Sequence, residues 1–212
     1  MFNNLVSSYF GSEKLTMGRR SDHTRDELRE MSLRAARAII RGKGVQALSA
    51  RAVAKRIGYT PGTLYQLFDS FDHLILAVNV GTVAEIRQRM DRETKDLTDA
   101  VAKLKVVARV YTEYAMAHPG LWRLAFEHTM PDPDKPPGAL TDQTDAIFLW
   151  ISELLSQATD TPRADVSAAA LWAGVHGVCH LGVTGKLSLS GTDGATQVTE
   201  RVVESVIAGM QN

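Results

Sequence analysis

The run SARAVAKRIGYTPGTLYQLF, Ser49 to Phe68, constrains this chain more than any other stretch. Ser49 is a good N-cap, because its hydroxyl accepts one of the orphan N–H groups at a helix start. Val53, Ala54 and Ile57 then recur at helical spacing. Gly58 follows, where a left-handed residue ends a helix without a Cβ penalty. Thr60 is the expected cap of a second helix. Pro61 stands at its first position, where a missing N–H costs nothing. Leu64 and Phe68 give the second helix one apolar face, and Thr63 and Gln66 lie opposite with Tyr65 at the edge. Two short helices joined by a tight turn, the second with uncharged hydrogen-bonding groups on its free face, have the layout of a helix-turn-helix that reads a major groove.

Charge supports a nucleic-acid partner. The formal net charge is zero, but residues 18–68 hold eleven Lys and Arg against four Asp and Glu. Residues 69–212 hold twelve against nineteen. A basic N-terminal quarter on an acidic remainder suggests a phosphate-facing module joined to a body that is not one. The single cysteine, Cys179, has no partner for an internal disulfide, which suits a reducing cytoplasm. No apolar run approaches the ~18 residues of a membrane span, so no membrane partner is expected. The first residues lack a signal peptide's basic and apolar regions. Whether Met1 or Met17 begins the natural chain stays open. If it is Met17, Arg19 and Arg20 form a short basic arm.

The periodicity predicts an all-α fold. Helices are expected over 22–43, the two short segments, 69–96, 100–118, 121–128, 140–159, 164–186 and 196–209. The proline-rich stretch 130–138 is expected to be a loop. The expected organisation is a flexible arm over 1–21, a DNA-binding domain over 22–69 and a helical body over 70–212.

Residues 36–74 resemble the DNA-binding domain of TetR-type transcriptional repressors. The resemblance rests on Gly44, Leu48-Ser49, Ala54, Gly58-Tyr59-Thr60, Gly62-Thr63-Leu64-Tyr65 and Phe68, matched without a gap from Gly44 onward. Trp172-Ala173-Gly174-Val175-His176-Gly177 resembles the Trp–His–Gly motif of one TetR C-terminal subfamily. His118-Pro119-Gly120-Leu121-Trp122 and Phe126 also look like that subfamily. Together the two resemblances cover about residues 22–210.

The resemblance implies a ligand-responsive regulator of double-stranded operator DNA, most often a repressor, with no cofactor. It implies that Thr60, Pro61, Gly62, Thr63, Tyr65 and Gln66 form the DNA-facing edge. Gly62 lets the backbone approach closely, and Gln66 can pair with adenine N6 and N7. Arg51 and Lys55 are placed for backbone contacts, and Arg19 and Arg20 for a minor groove. Two departures stand out. Leu67 replaces a polar residue common in relatives, and it either touches a thymine methyl or packs inside. Phe71 stands where many relatives carry a phosphate-contacting Lys.

One recognition helix makes few base contacts, so a homodimer across two half-sites is expected. Gly174, Gly177 and Gly182, with the stripe Val198, Val202 and Val206, suggest that the last two helices form its interface. Tyr111, Tyr114, Trp122, Phe126, Phe148, Trp172 and His176 are large or amphipathic groups that can face one cavity holding a small, largely hydrophobic effector. An alternative is a metal-responsive regulator using His176 and His180, four apart on one helix and beside Cys179. An activator of the same architecture is a third reading. No nucleophile elbow, phosphate-cradling loop or zincin motif points to an enzyme.

Overall fold

Helix α1, Arg25–Lys43, begins where Thr24 and Glu27 close a capping box. Thr24 Oγ1 accepts the Glu27 N–H at 3.2 Å, and the Glu27 carboxylate accepts the Thr24 N–H at 2.7 Å. The computed structural model describes residues 23–129, 138–161, 164–187 and 191–211. Arg19, Arg20, Met17 and most of the proline-rich stretch lie outside the described residues.

Past a single 3₁₀ turn, Val45–Ala47, come α2, Ala50–Ile57, and α3, Pro61–Leu67. Ser49 Oγ accepts the Ala52 N–H at 3.1 Å, as its position predicts. Gly58 has φ +80° and ψ +23°, and the Tyr59 N–H returns to the Ala54 carbonyl at 3.0 Å. This is a Schellman ending, and only a residue without Cβ takes that backbone readily. Thr60 differs from expectation. Its backbone is at the N-cap, but its hydroxyl lies 3.3 Å from the Thr63 hydroxyl and caps no N–H.

Helix α4, Phe71–Thr94, is capped by Ser70, whose Oγ accepts the His73 N–H at 3.2 Å. Then follow α5, Ala100–Ala117; α6, Pro119–Glu127; α7, Gly138–Thr159; α8, Asp165–Val183; and α9, Gly191–Met210. Helix α9 starts five residues ahead of the expected Thr196, because Gly and Thr residues weaken its first turn as a sequence signal. Among the described residues there is no strand.

Two apolar cores form. The first joins Ala36 and Ile40 of α1, Val53 and Ala54 of α2, Leu64, Leu67 and Phe68 around α3, and Leu74, Ile75 and Val78 of α4. Leu121 and Leu124 of α6 also enter it. The second joins the rest of α4 with α5 to α9. Packing therefore does not divide at residue 69. Helix α4 belongs to both cores, and α6 docks onto α1 so closely that a Cβ at Gly120 would lie 3.0 Å from Ile40 Cγ2.

An ionic cluster ties the two cores together. Glu85 on α4 accepts from Arg37 and lies 3.5 Å from Arg41, both on α1. Tyr114 on α5 donates its hydroxyl to Glu85 at 3.1 Å, and Arg37 also reaches Thr82 Oγ1 at 3.0 Å. Arg89 and Arg109 then cross-link α4 and α5 through Glu93 and Glu113.

The glycines of α8 divide in a way their spacing does not reveal. A Cβ at Gly174 would come 2.7 Å from Val202 Cγ1, and one at Gly182 would come 2.9 Å from Met116 Sδ. Both close approaches are to helices of the same chain. A Cβ at Gly177 would meet nothing within 4 Å. On α9 the fully buried stripe is Ala195, Thr199, Val203 and Ile207, so Val198, Val202 and Val206 flank it half-buried. Helix α8 has a mean hydropathy of 1.4 and the length of a membrane span. His176 and His180 interrupt it, so it is not a continuous apolar run. Here α8 packs against α5, α7 and α9.

Candidate nucleic-acid interface and internal cavity

Burial sorts α3 into two faces. Leu64, Leu67 and Phe68 are buried, while Gly62, Tyr65 and Gln66 are exposed. Tyr65 is 55% exposed, unusual for a large ring and consistent with a contact still to be made. Thr60 is exposed, and Pro61 and Thr63 are half-exposed at the start of the helix. On α2, Arg51 and Lys55 are exposed beside Arg56. Among the described residues none of these three cations has an ion-pair partner, so their charge is free for phosphate.

The two departures resolve by packing. Leu67 is in the core and cannot reach a thymine methyl. Its carbonyl accepts from Arg29 Nη1 at 3.0 Å, and the same guanidinium sits 4.4 Å over the Phe68 ring. Arg29 thus pins the C-terminal end of α3 to α1, a contact that charge counting alone did not single out. Phe71 is half-buried against the first core and offers phosphate no charge. His23 Nδ1 lies 3.0 Å from the Tyr59 hydroxyl, holding the entry to α1 near the α2–α3 turn.

In the body, α4, α5, α6, α7 and α8 enclose a cavity of about 290 Å³. Tyr111, Phe126, Phe148 and Trp172 line it, four of the seven expected residues. The others stand elsewhere. Trp122 is fully buried behind Tyr111, with ring centroids 6.0 Å apart. His176 lies on the far side of Tyr111, its Nδ1 2.9 Å from the phenol oxygen and its ring 4.8 Å from Trp122. Tyr114 points away, into the Glu85 cluster. Burial, the largest cause, pushes the His176 imidazole below its ordinary range and the Tyr111 phenol well above its own. The pair is therefore neutral near pH 7.

Aromatic residues were an incomplete guide to the cavity. Val83, Ile86 and Met90 of α4 also line it, as do Thr144 and Asp145 of α7. Aliphatic lining carries no sequence signal that separates it from core.

The proposed metal donors diverge. His180 is exposed with Nδ1 3.6 Å from Glu127, His176 faces the aromatic rings, and the buried Cys179 Sγ contacts Thr112 Oγ1 at 3.6 Å. Among the described residues no group of three His, Cys, Asp or Glu could hold an ion.

A basic helix-turn-helix unit thus stands on a helical body that holds an apolar cavity. Residues 33–78 match the family described as "Bacterial regulatory proteins, tetR family", and residues 104–206 match "Tetracyclin repressor-like, C-terminal domain". The chain belongs to the TetR family, and it is a DNA-binding transcriptional regulator, a class that is not enzymatic. It is similar to the uncharacterized HTH-type transcriptional regulator Rv0681 of Mycobacterium tuberculosis, 29% identical over 86% of this chain and 81% of that one. Its fold is similar to that of SCO4454, a TetR-family transcriptional regulator from Streptomyces coelicolor. That likeness has TM-score 0.69 and 22% identity, over 88% of this chain and 97% of that one. It is also similar to RolR solved with the ligand resorcinol, at TM-score 0.64 and 14% identity over 88% and 92% of the two chains.

Proposed function

We propose that this protein is a cytoplasmic, homodimeric repressor that leaves its operator when a small, largely hydrophobic molecule enters the cavity. The observation that carries this reading is the double membership of α4. Its first turns pack Leu74, Ile75 and Val78 into the DNA-reading core, and the next turns line the cavity with Val83, Ile86 and Met90. A ligand that moves these three residues shifts the seat of the recognition helix. To release DNA it must bind the shifted state better than the DNA-competent one. RolR, of the same fold, is described in complex with resorcinol, which supports a small-molecule role for the cavity.

The dimer reading is supported by the outer face of α8. Val166, Ala169, Ala170, Ala173 and Leu181 are exposed along one stripe, with Gly177 half-exposed among them and Val166 85% exposed. An apolar and small-residue face of this kind favours a second helix pair. Residues 22–69 are the DNA-reading unit and residues 70–212 the regulatory body, with α4 packed into both cores. Arg51 and Lys55 act on phosphates, and Thr60, Pro61, Gly62, Thr63, Tyr65 and Gln66 meet the groove.

The test is selection of operator sequences from a random duplex library, repeated with two variants. Gln66→Ala shifts the preferred bases, whereas Lys55→Ala weakens all sites about equally and lowers the salt slope by about one. Equal losses across the library for both variants would contradict the assignment. A flat salt response would argue against DNA as the partner.

A further inference from the structure

Among the described residues the cavity lining holds one charged residue, Asp145. Asp145 is exposed and its carboxylate has no hydrogen bond or ion pair among the described residues. Helix α7 bears three carboxylates, Asp142, Asp145 and Glu153, and no Lys or Arg. Asp142 lies one turn before Asp145, on the same side of the helix. Among the described residues the lining therefore offers an anion no positive charge to pair with. Arg87, a cation on the neighbouring α4, is already engaged: its Nε donates to Asp91 at 2.8 Å, and its guanidinium covers the Trp150 ring at 4.4 Å.

The second polar residue of the lining agrees with the first. The Thr144 hydroxyl donates back to the Leu140 and Thr141 carbonyls at 3.1 and 2.9 Å, so toward the cavity it can only accept. A carboxylate and a hydroxyl that both accept call for a ligand that donates. Tyr111, Phe126, Phe148 and Trp172 add ring faces, and ring faces attract cations. Size bounds the ligand as well. A cavity of roughly 150 Å³ holds benzene, so about 290 Å³ suits about a dozen non-hydrogen atoms.

We propose that the effector is an organic cation: an aromatic or alicyclic amine of about a dozen non-hydrogen atoms, its rings among Tyr111, Phe126, Phe148 and Trp172 and its ammonium group at Asp145. The proposal rests on the reading of this cavity as the effector site. The ammonium supplies up to three N–H donors where the lining has acceptors. A neutral alcohol of the same shape can donate one hydrogen bond to Asp145 but forms no ion pair with it.

The experiment uses three probes of matched shape: 1-naphthylmethylamine, 1-naphthylmethanol and 1-naphthoate. Each is titrated calorimetrically into the full chain at pH 7 and low salt. The amine binds about two- to fivefold more tightly than the alcohol, within the range for a solvent-screened ion pair, and naphthoate binds most weakly. The advantage of the amine shrinks as salt is raised. Asp145→Asn brings the amine to the level of the alcohol, and Asp145→Lys places naphthoate ahead of the amine. Asp145 is exposed, so neither change disturbs the core. Phe148→Ala weakens all three probes together.

If amine and alcohol bind equally and Phe148→Ala weakens both, the cavity reading stands and the cation assignment is overturned. If no probe binds, or if binding ignores Phe148→Ala, both fall together.

Discussion

Three glycines of α8 make a sharp test of the packing, because one substitution should have three outcomes. In an exposed helix interior, Gly→Ala stabilises by about 0.8–1 kcal/mol through backbone entropy. At Gly177 nothing lies within 4 Å of the new Cβ, so that gain is expected whole. At Gly174 the new Cβ would lie 2.7 Å from Val202 Cγ1. Valine in a helix has one strongly preferred rotamer, so the methyl cannot swing aside. Relief needs a backbone shift between α8 and α9, and overpacking of this kind costs about 1–3 kcal/mol. Gly174→Ala is thus destabilising by up to about 2 kcal/mol after the entropy gain is subtracted. At Gly182 the nearest atom is Met116 Sδ at 2.9 Å, the far end of a flexible side chain, so the two effects nearly cancel.

For a chain of this size, 1 kcal/mol moves Tm by roughly 2–4 °C. Thermal melts of the dissociated subunit, at fixed low protein concentration, should therefore show a rise for Gly177→Ala, a fall for Gly174→Ala and little change for Gly182→Ala. The cycle with Val202 isolates the cause. In a Val202→Ala background the clash is gone, and Gly174→Ala becomes stabilising by about 1 kcal/mol. The same sign in both backgrounds would refute the reasoning. A dilution series adds the dimer: Gly177→Ala stabilises the subunit, yet it weakens association if a second copy packs on that face.

Arg37 and Glu85 should couple. With the Arg37 side chain 17% exposed and Glu85 43% exposed, an Arg37→Ala and Glu85→Ala cycle should give about 1 kcal/mol, diminishing with salt; a coupling near zero would reduce the cluster to a surface contact. Acid should destabilise the fold through His176 and His118, both lowered chiefly by burial from the ordinary 6.5. The unfolded chain takes up protons first as pH falls below about 6.5, so stability is present above that value and is lost toward the lower folded value. Melts between pH 7.5 and 5.5 should show this loss, and His176→Gln should reduce its slope; an unchanged slope would assign the acid sensitivity elsewhere.

Much of the reading unit was legible in the sequence because its determinants are local. Ser49 capping Ala52, Gly58 in the left-handed region and Pro61 at a helix start each act within one turn of chain. The basic quarter and acidic body were legible for the same reason, since charge is counted without knowing contacts. Periodicity also placed the long helices, with errors at ends such as the start of α9.

What periodicity states is that a face is buried; it does not state against what. Leu67 had two readings until the fold put it in the first core beneath α1. Seven aromatic or imidazole candidates for the cavity were alike in sequence. Long-range packing then set four around it, put Trp122 and His176 behind Tyr111, and turned Tyr114 toward Arg37. The same holds for Gly174 and Gly177, three residues apart with opposite surroundings, and for Asp145, an ordinary helical carboxylate until α7 brought it to the cavity lining. The sequence determined which segments are helices and which end meets DNA, because caps, turns and charge act over a few residues. Only the tertiary structure decided which side chains share the cavity and how α4 joins it to the reading helix, because those partners are brought together from distant parts of the chain.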